Sequence, residues 1–280
     1  MKVWILIPLS TIFCFCALAW LVLRQKPRTK LHRIFLILDA SILVWATSTC
    51  LLFVVPFQEG ALLLRINFVC MLWLATSYYH LLRSFGNKPA RKGLVFGYGL
   101  LLLLMPLIAK NYIITGVINV NGIPYAKVSL AIYPIAATYM ALIGSAAIPL
   151  FYQYRHSPDA FTRNRTAYVL IGLTFTVIFS LMELYPPLGE YPTIHIGNLA
   201  NACCIAYAIV KYQLLDIRVV IRRGLAYAFL GITLVVLYLS ILLVLLKFAH
   251  LQTTARTLVA SAGVALLVAA LFYPLRKPVQ

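Results

Sequence analysis

The sequence predicts an all-α integral membrane protein of about nine transmembrane helices, with the N-terminus outside, the C-terminus inside and a small external β-hairpin at about 112–128. Three observations carry this expectation. The 280 residues are 63% hydrophobic and only 11% charged, with a mean hydropathy of +0.94, whereas a soluble domain carries charge on about a quarter of its residues. Apolar runs long enough to cross about 30 Å of hydrocarbon at 1.5 Å per residue recur along the chain. Five clusters of Lys and Arg, at 24–33, 83–92, 155–165, 211–223 and 276–277, hold 18 of the 24 basic residues. Short Lys/Arg-rich loops stay on the cytoplasmic side, so these connections are internal and the poorly charged ones between them face out.

Helix 1 is expected at 3–23. Lys2 faces a much larger basic cluster across it, which puts the N-terminus outside. Lys2, the apolar core and Ala17-Leu18-Ala19 also loosely fit a cleavable signal peptide, but cleavage would export the basic 24–33 segment against the charge rule. Helices 2, 3 and 4 are expected at 34–55, 62–82 and 93–109. Pro56 falls just past helix 2, where proline stops a helix without breaking an internal bond. Gly93-x-x-x-Gly97 in helix 4 would let another backbone approach closely.

The longest external connection, 111–129, is rich in β-branched residues. Asn121-Gly122 stands between 117–120 and 123–128, the strongest short-range signal for a two-residue hairpin turn. Pro124 confines the second arm to a sheet edge. The hairpin is expected over the outer mouth of the bundle, as a ligand-contacting lid or as a packed spacer.

Helix 5 is expected at 130–152, followed by an internal loop carrying Arg155, Arg163 and Arg165, then helix 6 at 167–185, stopped by Pro186-Pro187, and helix 7 at 194–210. Helices 8 and 9 are expected at 225–247 and 257–274. The chain thus divides into a seven-helix membrane domain at 1–212, an interfacial linker at 213–223, a two-helix hairpin at 224–274 and the start of a cytoplasmic linker at 275–280. In the linker, Leu214, Ile217, Val220 and Ile221 recur at helical spacing, with Asp216, Arg218, Arg222 and Arg223 on the polar side. That pattern suits a helix lying in the headgroup plane, and equally a loop with snorkelling arginines.

Charge in hydrocarbon costs at least about 3 kcal/mol and usually serves a purpose, so the six acidic residues are informative. Asp39 lies within helix 2, and His80 or the basic residues at neighbouring helix ends could pair with it. Glu183 lies at the outer end of helix 6. On helix 7, His195, Asn198 and Asn201 share one stripe. With Tyr185 and Tyr191, this group could line a water-accessible outer cavity in which Glu183 and His195 sense a ligand or protons. Alternatively, Asn198 and Asn201 hydrogen-bond neighbouring helices as structural glue, while Glu183 and His195 reach interfacial water.

The net charge of +18 sits at helix ends, where it sets topology and attracts anionic lipid headgroups. A nucleic-acid binder concentrates its charge on one folded face, so membrane lipids and not nucleic acids are the expected polyanionic partners. The cysteines all fall within expected spans and read as small core residues, without metal or disulfide spacing. No hydrolase, zinc-protease or Walker-type motif is present, so neither an enzyme nor a cofactor is expected.

The stretch AYAIVKYQLLDIRVVIRRGLAY at 206–227 resembles the end of the seven-helix N-terminal sensor region of bacterial membrane histidine kinases. Tyr78-Tyr79-His80 and the closing YPLRKPVQ are also similar to such proteins. The resemblance implies that helices 1–7 form the sensor, that helices 8 and 9 are an additional pair, and that Leu214, Asp216, Ile217, Arg218, Arg222 and Arg223 transmit the signal. It implies a bacterial inner-membrane signal-transduction module of a two-component system, with a cytoplasmic kinase or response partner and a homodimeric state. The phosphoacceptor and nucleotide-binding sequences of the kinases are not in this chain, so kinase activity is not expected of it. The alternative function is a small-solute or lipid transporter or channel subunit, although the broken helices and midplane carboxylates of proton-coupled transporters are not evident.

Overall fold

A computed structural model describes residues 2–24, 29–56, 59–86, 90–120, 123–183 and 192–212. These residues are mostly helical, with one small sheet. A 3-10 turn, Lys2–Ile5, leads into α1 (Leu6–Leu23), followed by α2 (Lys30–Leu52), α3 (Gly60–Phe85), α4 (Arg91–Ala109), β1 (Ile114–Val120), β2 (Ile123–Val128), α5 (Ile132–His156), α6 (Ala160–Glu183) and α7 (Thr193–Tyr212). Helices α1 to α6 are long and apolar enough to cross a membrane. The helices expected at 225–247 and 257–274, and the segments at 213–223 and 275–280, lie outside the described residues.

The helices extend further into the basic clusters than the apolar runs do. Arg155 belongs to α5 and Arg163 and Arg165 to α6, so the internal loop expected around them shrinks to 157–159. At α2 and α6 a side-chain cap marks the extended start. Thr29 precedes α2 in an extended conformation, its hydroxyl accepting the His32 amide while its own amide donates to His32 Nδ1 at 2.8 Å, a capping box with His in the usual Glu position. Asp159 precedes α6, its carboxylate accepting the Thr162 hydroxyl at 2.6 Å and the amides of Thr162 and Phe161. These bonds, the Thr162 hydroxyl foremost, hold the Asp159 carboxyl below its ordinary range. At the end of α1 the Arg24 guanidinium lies over the Trp20 ring, 3.9 Å from its centroid, a cation–π contact.

The packing is centred on α3 and α7. The α6–α7 contact is the most extensive, followed by α2–α3 and α1–α2; α3 also meets α4 and α5, α5 meets α6, and α1 meets α7. Every residue of 192–202 is buried, so this part of α7 is enclosed by protein. By contrast α4 is peripheral, exposing Val95, Phe96, Leu102 and Leu103. Exposed apolar side chains of this kind recur along α1, α5 and α6, the lipid-facing surface of a multi-pass membrane protein. Cys16 is among the exposed residues while Cys14 and Cys70 are buried, so not every cysteine is the core residue its span suggests.

Small residues set the closest approaches. A Cβ on Gly93 would overlap the Tyr79 hydroxyl, and one on Gly97 would lie 2.9 Å from Thr76 Cγ2. The Gly-x-x-x-Gly face of α4 is therefore its contact with α3. Between α6 and α7, a Cβ on Gly197 would lie 2.9 Å from both the Phe175 carbonyl and Phe179 Cβ.

The two strands pair antiparallel in the register Val120↔Ile123 to Ile114↔Val128, with an irregularity between Ile114 and Gly116. The strands and two-residue connection match the expected hairpin; the turn residues 121 and 122 lie outside the described residues. Both strands contact α3, and the ring of Pro124 sits over Gly60 at the start of that helix. Asn111 turns the chain into the hairpin with a φ of 63°, a left-handed conformation Asn tolerates well, and its side-chain oxygen accepts from Arg65 at 2.7 Å.

Candidate functional site

A polar side chain facing lipid has no hydrogen-bond partner, so intramembrane polar groups turn inward and bind one another. Helix α7 carries four such residues, Thr193, His195, Asn198 and Asn201, all buried. They form a seam of bonds along the helix.

At one end of the seam, the His195 ring stacks on Trp45 of α2, with centroids 4.2 Å apart, and its Nε2 lies 3.1 Å from the Thr49 hydroxyl. That hydroxyl donates to the Trp45 carbonyl at 3.0 Å and accepts from Asn67 Nδ2 at 2.8 Å. With the Trp45 carbonyl, Asn67 Nδ2 and His195 Nε2 around it, the Thr49 hydroxyl joins α2, α3 and α7 at one point. Asn67, from α3, binds further to Ser48 at 3.0 Å and accepts from the Trp45 indole at 2.9 Å. Thr11 of α1 reaches the His195 carbonyl at 3.4 Å.

Further along, the Thr176 hydroxyl of α6 lies 3.5 Å from Asn198 Oδ1 and 3.4 Å from the Tyr78 hydroxyl of α3. Asn201 Nδ2 donates to that same Tyr78 hydroxyl. Room for Asn201 exists because residue 172 is glycine, where a Cβ would overlap Asn201 Oδ1. Tyr78 and Asn201 also border a cavity of about 20 Å³ whose other walls are apolar, Phe35, Leu82 and Val169 among them. Such a volume holds about one water molecule. His195, Asn198 and Asn201 thus bond to α2, α6 and α3 respectively.

The expected site residues separate into those the structure brings together and those it does not. Asn198 and Asn201 hydrogen-bond neighbouring helices. His195 is 1% exposed and is held by Trp45 and Thr49. Glu183 closes α6, but its side chain, together with Tyr185, Tyr191, Leu214, Asp216, Ile217, Arg218, Arg222 and Arg223, lies outside the described residues. Asp39 is 2% exposed, and neither its Oδ1 nor Nδ1 of His80 has a hydrogen-bond partner among the described residues. No bond therefore joins Asp39 to His80 through these atoms. Trp45, Thr49, Asn67, Tyr78 and Thr176 complete the seam without having been singled out as site residues by the sequence. Asn67 carried the one available signal, an amide in the middle of an apolar run.

The seam is built from hydroxyl, amide, indole and imidazole groups. Its chemistry is that of exchangeable neutral hydrogen bonds linking one central helix to its neighbours. His195 Nδ1 and Asn198 Nδ2 have no hydrogen-bond partner among the described residues. The fold and seam define a multi-pass helical membrane protein with a polar-bonded central helix. No family model, curated protein or solved structure matches the chain.

Proposed function

We propose that this chain is a membrane-embedded sensory module that detects an external or membrane-dissolved signal and relays it to a cytoplasmic kinase or other response partner. In this reading it is similar to the seven-helix sensor region of bacterial histidine kinases and resides in the bacterial cytoplasmic membrane. It spans nine times, with the N-terminus outside and the C-terminus inside. The observation that carries the reading is α7: enclosed by protein, it is tied through three polar side chains to three different helices and continues toward the 213–223 linker. A signal that favours one set of these bonds over another shifts α7 between two positions, and the linker passes the shift inward. Two arrangements with different ligand affinity are what any such relay requires.

The test uses single-cysteine variants with the thiol at 214 or 218 in the membrane-reconstituted chain. Asn201→Leu and His195→Leu, which delete seam bonds, are expected to change the rate of thiol labelling at those positions. Unchanged rates in both variants would overturn α7 as the relay. Passage of ions or small neutral solutes through liposomes containing the purified chain would favour the transporter or channel function instead.

A further inference from the structure

Four helix ends converge on a second cavity, of about 440 Å³, far larger than the one beside Tyr78. It is lined by Thr29, Lys30 and Leu31 at the start of α2, Ser84 and Phe85 at the end of α3, Gln153 near the end of α5, and Thr162 and Arg165 in the first turns of α6. Its volume lies in the range of small-molecule binding sites. We propose that this cavity binds a phosphate ester, and specifically the headgroup of an anionic phospholipid.

Charge and donor chemistry both favour a phosphate. Lys30 and Arg165 bring two cations from different helices, and no acidic side chain is among the described residues that line the cavity. The acidic residue closest in sequence to its walls, Asp159, is engaged by Thr162 and Phe161 at the α6 N-terminus. Ser84 and Gln153 add a hydroxyl and an amide whose side chains make no hydrogen bond among the described residues. The Arg165 guanidinium lies over the Phe85 ring, 5.2 Å from its centroid, a cation–π contact that holds its charge against one wall of the cavity. Lys supplies the complementary point charge.

The position favours a lipid as the source. Clusters 24–33, 83–92 and 155–165 all contribute residues to this end of the bundle, at the depth where basic inter-helical pockets meet headgroups. Leu31 and Phe85 give the cavity apolar wall suited to the glycerol and first acyl carbons. A free phosphate would need only the polar half. This inference stands independently of the sensory reading, because a transporter or a structural membrane protein could hold the same lipid.

The experiment measures lipid retained by the purified full chain from mixed micelles of phosphatidylglycerol and phosphatidylcholine. Phosphatidylglycerol is expected to be enriched several-fold, and Lys30→Gln and Arg165→Gln are each expected to remove most of that enrichment. Lys30→Arg should retain it. Arg91→Gln, a change at the same end but outside the cavity, should leave it intact. Ser84→Val provides an independent reading through a neutral donor and should lower enrichment even if Arg165→Gln fails to fold. Equal enrichment in all variants would reduce the effect to general surface charge and overturn the site. If inorganic phosphate or glycerol phosphate binds without lipid and with the same dependence on Lys30 and Arg165, the ligand is a soluble phosphate and the lipid source is overturned.

Discussion

Asn201 and Gly172 act together, since the asparagine can reach Tyr78 only because the facing residue on α6 has no side chain. Interhelical hydrogen bonds of this kind contribute roughly 0.6–2 kcal/mol in membranes, and overpacking a close contact costs about 1–3 kcal/mol. Asn201→Ala should therefore lower the thermal unfolding temperature in detergent modestly, and Gly172→Ala more strongly, because the added methyl must push α6 and α7 apart. The double variant removes the atom that the methyl would strike. Its loss should be smaller than the sum of the single losses by about 0.5 kcal/mol or more, the signature of residues in contact. Strictly additive losses would mean that the side chains do not meet. At this scale the sequence exposed one side of each bond. Polar residues stand out in an apolar run, so His195, Asn198 and Asn201 were visible, but Trp45, Thr49, Tyr78 and Thr176 are common in membrane helices. Only the packing tells which of them face α7.

Helices were legible as centres and not as ends. The span expected at 34–55 is α2, Lys30–Leu52, displaced toward the basic cluster because the Thr29 and His32 cap starts the helix before the apolar run begins. The hairpin was legible in full outline, since Asn-Gly between two β-branched runs specifies the connection length and hence the register. The glycine motif of α4 was visible, but its partner was not. Two glycines on that helix now separate packing from propensity. Gly93 faces Tyr79 of α3, whereas a Cβ on Gly99 would meet nothing within 4 Å. Gly99→Ala should be neutral or slightly stabilising, by up to about 1 kcal/mol, because alanine is the better helix former. Gly93→Ala should be destabilising, since the Tyr79 hydroxyl and ring have to move, and Tyr79→Phe should recover part of that loss. Thermal unfolding of the three variants in one detergent measures both effects, and equal behaviour of the two glycine variants would contradict the α3–α4 contact.

Across the whole molecule, hydropathy could not distinguish α4 from α7, because a lipid-facing side chain and a buried one are equally apolar. Bilayer and protein interior are alike as solvents for leucine, so centrality becomes visible only through polar residues, which α7 has and most of α4 lacks. Orientation rests on a different physics, the retention of positive charge on the cytoplasmic side during insertion. The fold gives that argument two defined ends. One gathers Lys30, Arg83, Arg91, Arg155 and Arg165 at the termini of α2 to α6, and the other carries the hairpin against the start of α3. If charge sets the topology, Asn119→Cys in the hairpin, in a chain otherwise free of cysteine, should react with a membrane-impermeant maleimide in intact cells. Ser157→Cys, in the short connection between α5 and α6, should react only after permeabilisation. The reverse pattern would invert the protein. It would place the Lys30 and Arg165 cavity in the outer leaflet and point the C-terminal end of α7 away from the cytoplasm, leaving the proposed relay without a route to its partner.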